Sequence, residues 1–500
     1  MFVNLFTNKY QYKKHKQIFQ RSFFKGGKKN MKKKVISALL VTTMVAGMLV
    51  GCGSKDAAET PATDDAATEE PAAEEPAAEE PAAEEPAADE GKVFNIQCWN
   101  EEFKSRMIAH YPGYEEVDGT TGKIGDITVN WTITPSQDNA YQNNLDEMLL
   151  KQADAAADDK VDMFLIEADY ALKYVNSEYT MPVADLGITD DELKDQYQYT
   201  KDVVTDGDGK LKGVSWQGCP GVLIYNREAA KEVLGTDDPA EVQKSVSDWD
   251  TFLATAKTMK DAGYKMTSSA NDSFRVFSNN VTSKWVEDGK INIDANIKAW
   301  ADMSKTMVDA GETGTHDLWS DDWSKGFYPD GKVFCYFGPA WLIDFCMAAD
   351  TEGSIANQGG WGATEGPQGF FWGGTWICAA TGTDNPSLVA DIIRQLTCNT
   401  DIMLSIVQDD NDFVNNKPAM EKMAADTSYA SKVLGGQNPL AMFCAGAGNI
   451  DLSNTSPYDQ GCNETFQRAM KGYFEGNQSY DEAVDMFYKG VVEKYPELTY

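Results

Sequence analysis

Gly-Pro-Gln-Gly-Phe-Phe-Trp-Gly-Gly-Thr-Trp-Ile-Cys-Ala-Ala, residues 366–380, sets Trp372 and Trp376 on either side of a Gly-Gly pair, with Phe370 and Phe371 leading in. Each indole offers a flat apolar face and a single N–H donor, and a Gly-Gly step has no Cβ to keep the backbone away from whatever lies on those faces. On a strand the two tryptophans would share one face. Such a surface suits a pyranose, whose C–H face can stack on indole while its hydroxyl rim takes hydrogen bonds from polar neighbours. Ordinary core packing would serve the same two residues, and the rest of the chain has to decide between these readings.

Five hundred residues exceed one ordinary core, so two or three domains are expected. The net charge of −34 is unevenly spread: residues 1–34 hold eleven of the 44 Lys and Arg and none of the 78 acids. Met31 with Lys32, Lys33 and Lys34 forms a basic start, residues 35–50 a short apolar run, and Leu49-Val-Gly-Cys52 its end. The pattern resembles a bacterial lipoprotein signal spanning 31–51, whose apolar run of sixteen residues, 35–50, is too short for a comfortable membrane span. That resemblance implies cleavage before Cys52 and a lipid on its thiol. Residues 1–30 read as untranslated or as an extended basic region; codons for residues 25–28 can hold a purine-rich ribosome-binding sequence ahead of Met31. Residues 52–92 include Glu-Glu-Pro-Ala-Ala repeated from 69 to 88. Such a segment cannot bury enough apolar surface to fold. It reads as a tether of about 35 Å as a coil and on the order of 100 Å as polyproline II.

Eight further cysteines, at 98, 219, 335, 346, 378, 398, 444 and 462, show no CxxC or metal-ligand spacing and sit mostly in apolar runs. They are read as buried free thiols, with disulfides the alternative in an exported chain. His15, His110 and His316 are too few and too scattered for a metal centre, and no cofactor or metal is expected. No P-loop or nucleophile elbow occurs. Asp206-Gly-Asp-Gly209 lacks the later ligands of a calcium loop and reads as a hairpin turn. The acidic balance argues against nucleic acid.

Along the folded part, residues 93–98 alternate as a strand ending at Trp99, Asn100 and Glu101. Residues 141–157 carry Leu145, Met148, Leu149 and Gln152 at helical spacing, and the apolar run 161–166 ends in Glu167, Asp169 and Tyr170. Strand, helix and buried strand make a βαβ unit whose strand ends would face a ligand. Residues 210–226 read as a strand broken at Gly-Cys-Pro-Gly, marking a crossing between domains with Trp216 and Gln217 at the break. Helices are expected at 227–234, 251–262, 295–310 and 388–398, with two more in the tail from 463. Residues 331–344 read as a strand, a Gly-Pro turn and a helix carrying Trp341 in its first turn.

In order, the Leu-Ile-Tyr-Asn226 strand, the Phe-Gly-Pro-Ala-Trp341 block, the Gly-Gly-Thr-Trp376 strand with its following Asp384-Asn-Pro helix, and the Ser479-Tyr-Asp-Glu-Ala483 helix resemble the solute-binding proteins of carbohydrate ABC importers. The likeness is to the group that includes the maltodextrin-binding proteins. It implies an α/β fold of two periplasmic-binding-protein-like lobes with a hinge and an interlobe cleft. Lobe 1 would take 93–213 and 375–440 and lobe 2 would take 214–374 and 441–500, with crossings near 214–224, 366–374 and 438–450. It implies a monomer on the outer face of the membrane, held there by the lipid on Cys52, with an oligosaccharide and a permease as partners.

Micromolar affinity needs about 8 kcal/mol, whereas one sugar face of ~50 Å² yields on the order of 1 kcal/mol. Several indoles with charge-assisted hydrogen bonds are therefore required. The resemblance places Trp341 against the ligand, and Asp344 follows it by three residues. Trp99, Asn100, Glu101, Trp216, Gln217, Trp372 and Trp376 are further candidates, each with a packing or surface role as the alternative. Glu167 and Asp169 join them unless they only cap the turn at Tyr170. Arg275 offers a cation, or else a structural ion pair. Trp319 and Trp323, beside Asp321 and Asp322, are denser in aromatics and acids than a loop needs, although a solvated helix start accounts for them too. Carboxylates beside tryptophans also describe a glycosidase, and a peptide or polyamine is a third ligand class for such a cleft.

Overall fold

A computed structural model describes residues 91–500; the signal, Cys52 and the tether lie outside the described residues. The chain enters through strand β1 (Val93–Cys98), then helix α1 (Glu102–His110), then the meander β2 (Tyr114–Glu116), β3 (Thr121–Ile124) and β4 (Ile127–Ile133). Helix α2 (Ala140–Lys151) leads back to β5 (Met163–Glu167), which lies parallel to β1 with Ile96 beside Met163. The expected βαβ unit is present, enlarged by the meander, with β4 also parallel to β1. Helix α2 stops six residues short of the expected end. The buried Gln152 amide there donates to the Val161 carbonyl at 2.7 Å and accepts from the Val161 N–H at 2.9 Å, so the chain turns into β5.

Strand β6 (Val214–Ser215) ends the first pass, and the chain crosses at 216–219 into a second sheet. That sheet is built from β7 (Pro220–Asn226), β8 (Lys265–Thr267), β11 (Val333–Gly338) and β12 (Trp361–Thr364) in the order β12-β7-β11-β8, with β13 (Phe370–Phe371) also pairing β7. The hairpin β9 (Val286–Glu287) and β10 (Lys290–Ile291) stands apart. The chain then returns at 372–374, and β14 (Thr375–Ala379) inserts antiparallel between β5 and β6 to complete the order β2-β3-β4-β1-β5-β14-β6. Two sheets exchanged twice by the same chain make the two-lobed fold.

The helices follow their sequence signals. Arg227–Leu234 begins at Asn226, whose side chain accepts two backbone N–H bonds. Trp249–Asp261 opens with a capping box at Asp248. Helix α3 (Phe274–Ser278) follows β8, and α4 (Ala295–Ala310) runs from the Asp294 cap to Gly311 in a left-handed turn. The tail helices are α5 (Asp459–Phe474) and α6 (Tyr480–Lys494); α5 packs Phe466 on Trp300 of α4 and so belongs to the second lobe. Among the described residues the eight cysteines form no disulfide with one another, and five of them are buried. Thr205 and Leu211 bridge as a hairpin. Among the described residues no helix is long and apolar enough to cross a membrane, and no cluster of His, Cys, Asp and Glu could hold a metal.

Candidate functional site

Because β1 and β5 are parallel neighbours, the residues after them stand side by side at the carboxyl edge of the first sheet. Trp99 is half-buried there, edge-on to Tyr141 at 5.6 Å and to Tyr170 at 6.3 Å. Asn100 accepts the Glu102 N–H at 3.0 Å, and the Glu101 carbonyl accepts the Ser105 N–H, so both start helix α1. Glu167 accepts the Asp169 N–H at 2.8 Å, which fixes the turn carrying Asp169. Burial pushes the Glu167 carboxyl up to about 8, the charge of Asp169 adds to this, and Arg275 opposes it.

Helix α3 brings Arg275 over from the second lobe. Its guanidinium pairs with both Asp169 oxygens, Nη1 to Oδ1 at 2.6 Å and Nη2 to Oδ2, and lies 5.9 Å from the centre of the Trp372 ring. Asp459 at the start of α5 and Glu464 also act on this cation. Burial pushes Asp459 up to about 7.

Trp372 belongs to a cluster of three indoles. Its ring lies 5.1 Å from that of Trp341 and 5.7 Å from that of Trp319, and Trp319 and Trp341 are 6.2 Å apart. The Trp341 N–H donates to the Trp372 carbonyl at 3.3 Å. Trp341 sits at the head of a π-helical turn, Leu342–Cys346, rather than in an α-helix. Trp319 is 40% exposed and is held at φ 69°, a conformation that costs a bulky residue on the order of 1–3 kcal/mol. Beneath it the Trp323 N–H donates to the buried Asp272 at 2.6 Å. Trp319 and Trp341 come from separate segments of the second lobe and Trp372 from the crossing at 372–374; the sequence marks Trp319 only as part of a stretch dense in aromatics and acids, and not as a neighbour of the other two.

The expected shared face of Trp372 and Trp376 is not what the structure shows. Gly373 and Gly374 take φ values of 78° and 97°, so the chain reverses before β14 begins. Trp376 is fully buried and donates to the Thr200 carbonyl at 2.7 Å. Trp216 is likewise buried, packed on Phe103 at 5.3 Å, and both are core residues of the first lobe here.

Gln217 lies in a buried charged network at the first crossing. Its amide donates to Glu102 at 2.8 Å and Asp412 at 3.1 Å, while Arg106 pairs with Asp410 at 3.1 Å and Asp412 at 3.3 Å. His110 adds a 2.8 Å contact to Asp410. Burial pushes the Glu102 and Asp412 carboxyls up. The sequence marked Gln217 but not the network around it, in which Arg106 and Asp412 are separated by 306 residues and Gln217 lies 115 residues from Glu102 and 195 from Asp412. Asp344 takes a bond from Asn411 at 3.3 Å, and Asn411 in turn accepts from Tyr429.

The arrangement offers stacking faces from one lobe, carboxylates from the other, and a cation between them. The family model for the bacterial extracellular solute-binding protein matches residues 120–434. Among solved structures, an extracellular solute-binding protein of family 1 aligns at TM-score 0.63 and 19% identity, over 80% of this chain and 99% of its own. The ABC transporter-associated binding protein of B. animalis subsp. lactis Bl-04, in complex with β-1,6-galactobiose, aligns at 0.59 and 19% over 82% and 99%. Maltose-bound MalE3 of T. maritima aligns at 0.57 and 15% over 80% and 99%. At these identities the likeness speaks for the fold. No curated protein matches the sequence. With more than half its length matched by the family model, the chain belongs to the bacterial extracellular solute-binding proteins.

Proposed function

We propose that the protein captures an oligosaccharide in the cleft between its lobes and hands it to the permease of an ABC importer, held at the outer membrane face by a lipid on Cys52. The observation that carries this reading is the convergence of Trp319, Trp341 and Trp372 beside a carboxylate pair supplied by the opposite lobe. Indole faces would stack on the sugar's C–H surface, and Glu167, Asp169 and Glu101 would accept hydroxyl hydrogens. Two structural relatives, with galactobiose and maltose bound, support the same ligand class. Lobe boundaries near the crossings at 216–219 and 372–374, with a third at 438–450, would let the cleft close by a hinge.

The test is a panel of oligosaccharides followed by tryptophan fluorescence and thermal shift, with products analysed in parallel. A saturable, stoichiometric change without products supports the binder. Turnover would make it a glycosidase, and no response to any sugar, with a response to a peptide or polyamine, would replace the ligand class.

A further inference from the structure

The buried network at the first crossing joins distant segments of the chain where the lobes meet. Glu102, Arg106 and His110 stand on α1, Asp410 ends the helix Thr400–Asp410, and Asp412 follows two residues later. The chain then runs beside the crossing: the Gly218 N–H donates to the Phe413 carbonyl at 2.9 Å, and the Asn415 N–H to the Trp216 carbonyl at 2.7 Å. Just before Asp412, Asn411 reaches Asp344 in the turn headed by Trp341. The network therefore touches the first lobe, the crossing and the segment that leads to one of the three indoles.

Its charges do not balance. Glu102, Asp410 and Asp412 face one guanidinium, Arg106, and one imidazole, His110, so acids are in excess even with the imidazole protonated. Glu102 Oε1 and Asp412 Oδ2 share the same two nitrogens, the Gln217 amide at 2.8 and 3.1 Å and Arg106 Nη2 at 3.9 and 3.3 Å, which sets the two acids side by side. Glu102 is 9% exposed, Asp412 3% and Gln217 2%, so solvent screens the pair poorly. Asp344, Tyr429 and Cys219 stand nearby and add no cation; burial holds the tyrosine and the thiol neutral. Two like charges this close and this dry are too costly to keep, and the pair retains a proton. Burial accordingly pushes the Glu102 carboxyl up to about 7, with Arg106 opposing and Asp412 adding.

We propose that the proton held by the Glu102–Asp412 pair pins the crossing at Gln217, and that its loss frees the hinge, so that pH regulates the movement of the lobes about a solute. The proposal rests on the cleft closing by this hinge, but not on the nature of the solute. Opened to water, Glu102 would ionise near its ordinary 4.5. The restraint is therefore full below that value and is lost as pH rises through about 7.

The test uses the full-length protein, refolded from denaturant to remove any co-purified solute, and needs no ligand. Hydrogen exchange, expressed as protection relative to unstructured peptide at each pH, is followed in segments 216–219 and 413–415 for the wild type, Glu102→Gln and Asp412→Asn. Both variants are close in shape and cannot ionise, and either one that melts cooperatively decides the question. Protection of these segments in the wild type should fall about tenfold between about pH 6 and about pH 8, and should stay level in the variants. Protection of β4, away from the network, should be level in all three proteins. A flat wild-type profile, or a fall of the same size in a folded variant, would overturn the proposal. Because no sugar is involved, that failure is distinct from failure of the oligosaccharide reading, which the ligand panel decides.

Discussion

Trp341 meets Trp372 through both a ring contact and an N–H bond, so truncating it strips one wall and loosens another. Trp341→Ala should weaken oligosaccharide binding at least about tenfold, measured by fluorescence titration. The cooperative melt should survive, since the side chain is only half-buried; unchanged affinity would remove Trp341 from the site. Glu167 makes a prediction about pH. Its proton is retained in the folded chain up to about 8, whereas an unperturbed carboxyl loses it near 4.5. The stability it contributes is therefore full below the lower value and is lost as pH rises through the upper one. Glu167→Gln cannot ionise and should flatten the decline in Tm between about pH 5 and about pH 8; identical slopes would contradict the assignment. At this scale the places of Trp341, Asp169 and Arg275, each at a strand end or a helix start, could be read from the sequence. Trp319 stood out there only within a stretch dense in aromatics and acids that a solvated helix start also explains, because the two rings that meet it come together only in three dimensions.

Strand ends, caps and breaks could be read from the chain with few errors, because they are set by local chemistry. Asn226, Asp248 and Asp294 cap the helices expected at 227–234, 251–262 and 295–310, and the strand expected at 210–226 is broken, although the break falls at 216–219 and Pro220 and Gly221 already belong to β7. The Gly-Gly step was misread because two tryptophans four residues apart look like a strand face, whereas positive φ at both glycines turns the chain between them. Gly374→Ala would put a Cβ 3.3 Å from the Trp376 ring at φ 97°. The strain should lower stability by about 1–3 kcal/mol, seen in the denaturation midpoint; an unchanged midpoint would show that the turn is not constrained. The buried network at the other crossing makes a parallel prediction. Arg106→Met leaves Asp410 and Asp412 without that guanidinium and should cost about 3–5 kcal/mol by urea unfolding. A loss typical of an exposed ion pair, below about 1 kcal/mol, would argue that solvent or His110 already balances the acids.

For the molecule as a whole, the order of strands is what converts local signals into a machine. The second sheet is threaded between β6 and β14 of the first, so the segments 216–219 and 372–374 both lie between lobes, and the second of them carries Trp372. Sequence pattern foretold the two-lobed α/β fold through the order of its blocks. It could not show which tryptophans converge, because burial of Trp216 and Trp376 and partial exposure of Trp319 are properties of packing between distant segments. Capture by closure requires that one solute touch indoles of one lobe and carboxylates of the other. The most direct measurement is a titration of the wild type and of a Trp341→Ala/Trp372→Ala variant against a glycan panel, with binding read by calorimetry. The account predicts that at least one oligosaccharide binds the wild type stoichiometrically, and that the still-folded variant loses that binding. Equal binding by both proteins, or no saccharide binding to a folded wild type, would contradict it.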